Sequence, residues 1–488
     1  MRVFYDTHEG LWGVKSHTVQ IKKEGRIGVN YFGSDRLVLR SDSARALYNG
    51  CKELPVFDYH NHLSPQLLYE NRNFNNMAEF WLSGDHYIWR AMRLAGVEER
   101  FITGDAAPED KFLAWVGVLD SLVGCQLYAW TQMQMSFLFG EEEPLTSDNA
   151  KEVYARCNEK LQGEDFKPRA LLKRFGVNAL CTTDEPFDSL EWHKKLRSEQ
   201  KDMRVLPAFR PDKLLAASKD VWLESVKKLE VSENLTISTL DDLKEGLRRS
   251  LVRFASLGCR TADHGYQGLK YVDPTGADEA FVAALARGIA TEAEEDKIAS
   301  ELLRWLGEQY NDMDMVMQLH IGALRNGNTR RYRALGADCG VDSVDDPIGV
   351  RCIAPLLDTL EQKGKLPRTI LYCLNDGEYM PLVTLAASFA APGVRNKVQV
   401  GSAWWFNDHE RGMREHLTIL MENGQLPGFV GMLTDSRSIG TFVRHDYFRR
   451  ILCDTVGAHV ECGEFPLKQA QKIVNDICNQ NAVTYFGG

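Results

Sequence analysis

The strongest constraint on how this chain can fold is a pattern that recurs eight times. A short apolar or β-branched run ends in polar, chemically capable residues, and a stretch long enough for a helix follows. The runs are VFDYHNH from Val56, VNALCTTDE from Val177, RVLPAFR from Arg204, GCRTADH from Gly258, MVMQLH from Met315, TILYCLN from Thr369, KVQVGSAWWFN from Lys397 and FVGMLTDSR from Phe429. Near-continuous apolar character, in place of alternation, marks parallel strands covered on both faces. Parallel neighbours need a long crossover, usually a helix. DSLEWHKKLRSEQ, with Asp188 as its N-cap, and RGMREHLTILMENG supply two such crossovers. Eight units of this kind predict an α/β fold, a distorted (β/α)8 barrel of TIM type. A doubly wound open sheet is the alternative.

The spacing of the runs divides the chain. At 488 residues it exceeds what one plain barrel needs. The gap between the first and second runs is too long for one crossover, so residues 63–175 are expected to form a helical inserted subdomain. Its aromatics (Phe80, Trp81, Tyr87, Trp89, Trp115, Tyr128, Trp130) read as that insert's core. Residues 35–62 and 176–488 are then the barrel. Residues 1–34 form an N-terminal extension in which HTVQIKK, EGR and IGVNYF predict a hairpin.

Charge and cysteine content limit the partners. Lys and Arg number 58 against 68 Asp and Glu, a net charge of −10, which argues against nucleic acid and membrane surfaces. The 11 cysteines show no C-x-x-C pairing and read as reduced thiols of a cytoplasmic protein. The longest uncharged stretch, Met380 to Val394, is too short to span a bilayer. Phosphate-loop, dinucleotide and nucleophile-elbow motifs are missing, which removes support for three large enzyme classes.

In a barrel the chemistry sits at the carboxyl ends of the strands. The run ends read His60/His62, Asp184, Arg210, Asp263/His264, His320, Asn375, Trp404/Asn407 and Asp435/Arg437. His60 and His62, two apart on a strand, point to one face. With Asp435 from the neighbouring eighth run they suit one divalent ion, Zn2+ or another, with positions open to substrate. Arg210 and Arg437 are fixed cations fit to grip a carboxylate, and Trp404 or Trp405 could wall a sugar-sized pocket. No lysine ends a middle strand, which favours one metal ion over a bridged pair. His193 and His416 read as solvated helix residues, and His445 as a structural partner of nearby charges.

The segments FDYHNHLSP, GDHYIWRAMR, FRPDK, QLHIGALRN, ILYCLN, GSAWWFND, FVGMLTDSRS and RHDYFRRILC together resemble the uronate (glucuronate) isomerase family of the amidohydrolase superfamily, from about residue 35 to the C-terminus. The resemblance implies an aldose–ketose isomerase that interconverts D-glucuronate with D-fructuronate and D-galacturonate with D-tagaturonate. It implies one divalent metal, usually zinc, held by His60, His62 and Asp435. It also implies catalytic roles for Asp435, Arg437 and Tyr87, and substrate contacts from Arg210, Asp263, His320 and Trp404. The expected partner is a small sugar acid, and a homo-oligomer is compatible with it. A metal-dependent hydrolase or decarboxylase on the same barrel is the alternative activity, and a non-catalytic sugar-acid sensor is a third reading.

Overall fold

The computed structural model describes residues 5–9, 15–19, 32, 36–200, 202–265 and 270–487. Strands β1 (Tyr5–Glu9) and β2 (Lys15–Val19) pair antiparallel. The hairpin expected from His17 to Phe32 lies, but for His17–Val19 and Phe32, outside the described residues.

Seven of the eight predicted runs are parallel strands, and they lie side by side in chain order. β3 (Val56–Asp58) pairs with β4 (Val177–Cys181), and β4 with β5 (Arg204–Leu206). β6 (Thr261–His264) pairs with β7 (Val316–Ile321). After a short antiparallel excursion, β8 (Ala323–Leu324) with β9 (Ser343–Val344), come β10 (Thr369–Cys373) beside β7 and β11 (Val398–Val400) beside β10. Single parallel bridges from Phe209 to Asp184 and to Ala262 join the three-stranded and four-stranded sheets. Every residue of β3, β6, β7, β10 and β11 is buried, as expected for strands covered on both faces.

The eighth run corrects the barrel expectation: no closed barrel ladder is formed among the described residues. Residues 429–437 carry no strand, because Gly431 (φ 80°) and Asp435 (φ 50°) take left-handed backbone that a ladder cannot follow. The run nevertheless lies between β11 and β3. Val430 donates its N–H to Gln399 Oε1 at 3.1 Å. On the other side Asp435 N–H donates to the His60 carbonyl at 3.1 Å and His62 N–H to the Ser436 carbonyl at 2.9 Å.

Between β3 and β4 the chain is helical, with helices including Met77–Leu82, His86–Leu94, Pro108–Leu119, Gln126–Phe139 and Ala150–Leu161. Trp81, Trp115 and Trp130 are buried there. Trp81 Nε1 donates to Gln134 Oε1 at 2.8 Å, so the polar edge of one ring is satisfied inside the apolar layer. The helix after β4 begins at Glu191, later than Asp188 would have capped it; the Asp188 carboxylate instead receives the Glu185 N–H. The eleven cysteines are free thiols, and no described helix is long and apolar enough to cross a membrane.

Candidate active site

His60 and His62 follow β3 and converge on one atom. His60 Nε2 lies 3.2 Å and His62 Nε2 3.0 Å from Asp435 Oδ1. Asp58, fully buried beneath them, explains why this register holds. Its carboxylate receives the Thr434 N–H at 2.8 Å, the Thr434 hydroxyl at 2.7 Å and the Asn61 amide at 3.0 Å. His445 faces Asp58 at 3.3 Å. Burial opposes a charge on Asp435, but the bonds from His60 and His62 outweigh it and hold the carboxyl well below its usual range. Burial pulls His62 down to about 4, despite Asp435 beside it.

Asp263 and His320 enclose the same imidazole from below. His320 Nδ1 is 2.7 Å and His60 Nδ1 3.6 Å from the Asp263 carboxylate. The His320 ring stacks on Tyr372 with centroids 4.3 Å apart and meets Trp404 edge-on at 4.7 Å. His320 Nε2 is buried with no hydrogen-bond partner among the described residues. Two groups of three side chains can therefore each hold a metal ion: His60, His62 and Asp435, and His60, Asp263 and His320. Imidazole nitrogen with carboxylate oxygen is the donor set that divalent zinc and its neighbours accept, so the residues fit such an ion.

Arg210 lies between two carboxylates, with Nη1 3.0 Å from Asp263 and Nε 2.9 Å from Asp212. The absence of a side chain at Gly265 makes this possible, since a Cβ there would fall 2.1 Å from Arg210 Nη2. Burial works against the Arg210 charge, but Asp263 and Asp212 raise its basicity further. His60, His62, Arg210, His320, Trp404, Asp435 and Arg437 wall one cavity of about 430 Å³, a size suited to a small metabolite. Asp263 lies fully buried, in contact with its wall residues Arg210, His60 and His320.

Tyr87 is placed differently. It does not wall that cavity but lines an adjoining, mostly apolar one of about 380 Å³. Asp85 caps its helix, accepting the Tyr87 N–H at 2.9 Å and the Ile88 N–H at 3.2 Å. Its hydroxyl donates to Asp408 Oδ2 at 3.2 Å. Arg437 is not among the charged groups that bear most on this phenol. Arg437 pairs with Asp338 at 3.3 Å, and the cation over the Tyr87 ring, 4.5 Å from its centroid, is Arg444. Burial, reinforced by Asp408, pushes the phenol well above its ordinary value.

Sequence reasoning missed Asp408 and Arg444, and it misread two histidines. His193 is buried against Thr182 at 2.8 Å, and His416 is buried between Tyr379 and Phe429. Several run ends serve the scaffold. Asp184 accepts the Thr182 hydroxyl, Asn375 receives the Gly377 N–H, and Asn407 donates to the Leu374 carbonyl.

Parallel strands in chain order, with acids, imidazoles and guanidinium groups gathered beyond their carboxyl ends, define an enzyme of the α/β class. Comparison with known proteins makes this specific. The family model for glucuronate isomerase matches residues 29–486. The uronate isomerase of Halalkalibacterium halodurans is 43% identical over 462 residues, 94% of this chain and 98% of that protein. The uronate isomerase of Caldanaerobacter subterraneus subsp. tengcongensis is 42% identical, covering 93% and 99%. The crystal structure of uronate isomerase from Thermotoga maritima superposes with a TM-score of 0.88 at 32% identity, covering 93% of this chain and 99% of that one. The chain belongs to the glucuronate isomerase family and is an isomerase.

Proposed function

We propose that this isomerase interconverts D-glucuronate with D-fructuronate and D-galacturonate with D-tagaturonate, by proton transfer through an enediol. The observation that carries the reading is the meeting of His60, His62 and Asp435 within 3.2 Å beside Arg210 in one cavity. In the same reading the strands and the run at 429–437 make a distorted (β/α)8 barrel, residues 63–175 an inserted subdomain, and residues 1–34 an N-terminal extension.

His60, His62 and Asp435 would hold one divalent ion, zinc by preference. Bound there, it would supply Lewis-acid polarisation of the sugar's oxygens. The protein's own groups do the rest. Arg210, whose side chain keeps 22% of its surface open, grips the C6 carboxylate and sets the register of the open chain. Asp263 and His320 fix the floor beneath the reacting carbons, and Trp404 supplies a flat wall. Asp435 turns Oδ1 to both imidazoles, which leaves Oδ2 to move a proton during ring opening. Tyr87, from the adjoining cavity that shares His86 and Trp405 with this one, carries the proton between C2 and C1, and Arg437 on the cavity wall assists the transfer.

Incubating the purified protein with D-glucuronate should yield a ketose. In deuterated water, a measurable fraction of the ketose should carry label at the carbon that receives the hydrogen, because a base that holds the C2 proton can exchange it with solvent before returning it. No ketose formation overturns the assignment, and ketose with no label at all overturns the proton route.

A further inference from the structure

We propose that Asp408 holds the proton of Tyr87 while that phenol works on the sugar, and that Arg444 fixes the pair; this rests on the isomerase reading above. Asp408 and Arg444 come from separate parts of the chain, the loop after β11 and the helix Arg444–Glu461, and both are buried. Their grouping around Tyr87 is specific. The phenol donates to Asp408 Oδ2 at 3.2 Å. Arg444 Nη1 lies 3.3 Å from that same oxygen. The guanidinium also sits over two rings, 4.5 Å from the centroid of Tyr87 and 4.2 Å from that of Trp130, and Nη1 donates to the Thr434 carbonyl at 2.7 Å. Asp408 Oδ1 has no hydrogen-bond partner among the described residues.

One proton and one negative charge are thus shared by Tyr87 and Asp408, and Arg444 touches both. Moving the proton between the oxygens leaves the net charge of the cluster unchanged, so the cation balances either arrangement. Burial raises the Asp408 carboxyl to about 7 against the opposing pull of Arg444 and Tyr87, and it raises the phenol as well, so the transfer rests on the shared geometry and not on burial. The charged groups facing Asp408 are Arg444, Tyr87, Asp435 and Asp85.

The sequence of transfers balances. The phenolic proton passes to Asp408 Oδ2. The phenolate takes the C2 proton, and the C2–H electron pair becomes the C1–C2 double bond as charge moves to O1. The O2 proton shifts to O1. The phenol then delivers its proton to C1, O2 becomes the ketone oxygen, and Asp408 returns its proton to the phenolate. Asp408 touches no substrate atom in this scheme and is a positioning residue that acts through Tyr87.

The test compares native enzyme, Asp408→Asn, Tyr87→Phe and the double variant on D-glucuronate, reading kcat, KM and metal content. Asp408→Asn should lower kcat about a hundredfold and hold KM within about threefold and metal content unchanged. The double variant should be no slower than Tyr87→Phe alone, because Asp408 has nothing left to act through. A kcat for Asp408→Asn within about twofold of native, or losses that multiply in the double variant, overturns the proposal. If Asp408→Asn does not fold, because Arg444 is left without its counter-charge, Asp408→Glu decides. A kcat at least about tenfold lower at unchanged KM supports the proposal, and an unchanged kcat overturns it. Native enzyme that makes no ketose overturns the isomerase reading itself, a result distinct from all of these.

Discussion

Asp435 Oδ1 lies 3.2 Å from His60 Nε2 across 375 residues of chain. The main chain ties the same two residues, since the Asp435 N–H donates to the His60 carbonyl at 3.1 Å. The carboxylate is therefore aimed by its own backbone. That backbone is held at a φ of 50°, which an aspartate adopts at a cost of order 1 kcal/mol. Such strain persists where surrounding bonds over-determine it, and here the bonds to Asp58 at Thr434 do so.

Asp435→Asn keeps the shape of this group and removes its charge. Metal content measured by elemental analysis and turnover of D-glucuronate should fall together, turnover by about a hundredfold or more. Full metal content with native turnover would contradict the ligand role.

Arg210→Met removes a cation that faces both Asp263 and Asp212. Two effects are expected. KM for uronates should rise far more than for neutral aldoses. The melting temperature should also fall, because Asp263 would be left buried with its main counter-charge gone. Equal losses for charged and neutral sugars would exclude a carboxylate clamp.

His416 links stability to pH. Burial depresses its imidazole to about 3 in the folded protein, while the unfolded chain titrates near 6.5. Between those values the unfolded state binds the extra proton, so stability drops as pH falls from about 6.5 toward 3, by up to ~1.4 kcal/mol per pH unit. In His416→Leu this contribution vanishes. Melting curves of the variant should be flatter against pH than those of the native protein, and parallel curves would refute the linkage.

Gly431 is irreplaceable for two independent reasons. Its φ is 80°, and a Cβ added there would stand 2.3 Å from the Ile477 carbonyl oxygen. Its own carbonyl accepts the Tyr59 hydroxyl at 2.7 Å. Gly431→Ala should destabilise by at least ~2 kcal/mol in chemical denaturation, with metal affinity reduced because the run to Asp435 is displaced.

The strand runs were legible because parallel, doubly covered strands leave continuous apolar segments, as Val316–Ile321 and Thr369–Cys373 do. The end of the eighth run was not, since nothing in the letters of MLTDSR announces a left-handed aspartate. The convergence of His60, His62, Arg210, His320, Trp404 and Asp435 was readable from their shared place at run ends. Arg444 was hidden inside RHDYFRR, where charges at helical spacing normally face water. Asp408 was hidden as one more polar letter after a strand. His416 could have been found: Met413, Leu417 and Leu420 put the apolar face of its helix on the same side, and all four are buried. Tyr87 shows the limit of spacing arguments, because its partners come from segments that topology alone brings together.

Arg444 touches the helices between β3 and β4 at Tyr87 and Trp130 and the final loop at the Thr434 carbonyl. One guanidinium thus ties a peripheral layer of helices to the loop that carries Asp435. Under the proposed function, changes among the helices that seat Tyr87 would retune the speed of turnover in this chain while leaving the walls at Arg210 and Trp404 as they are.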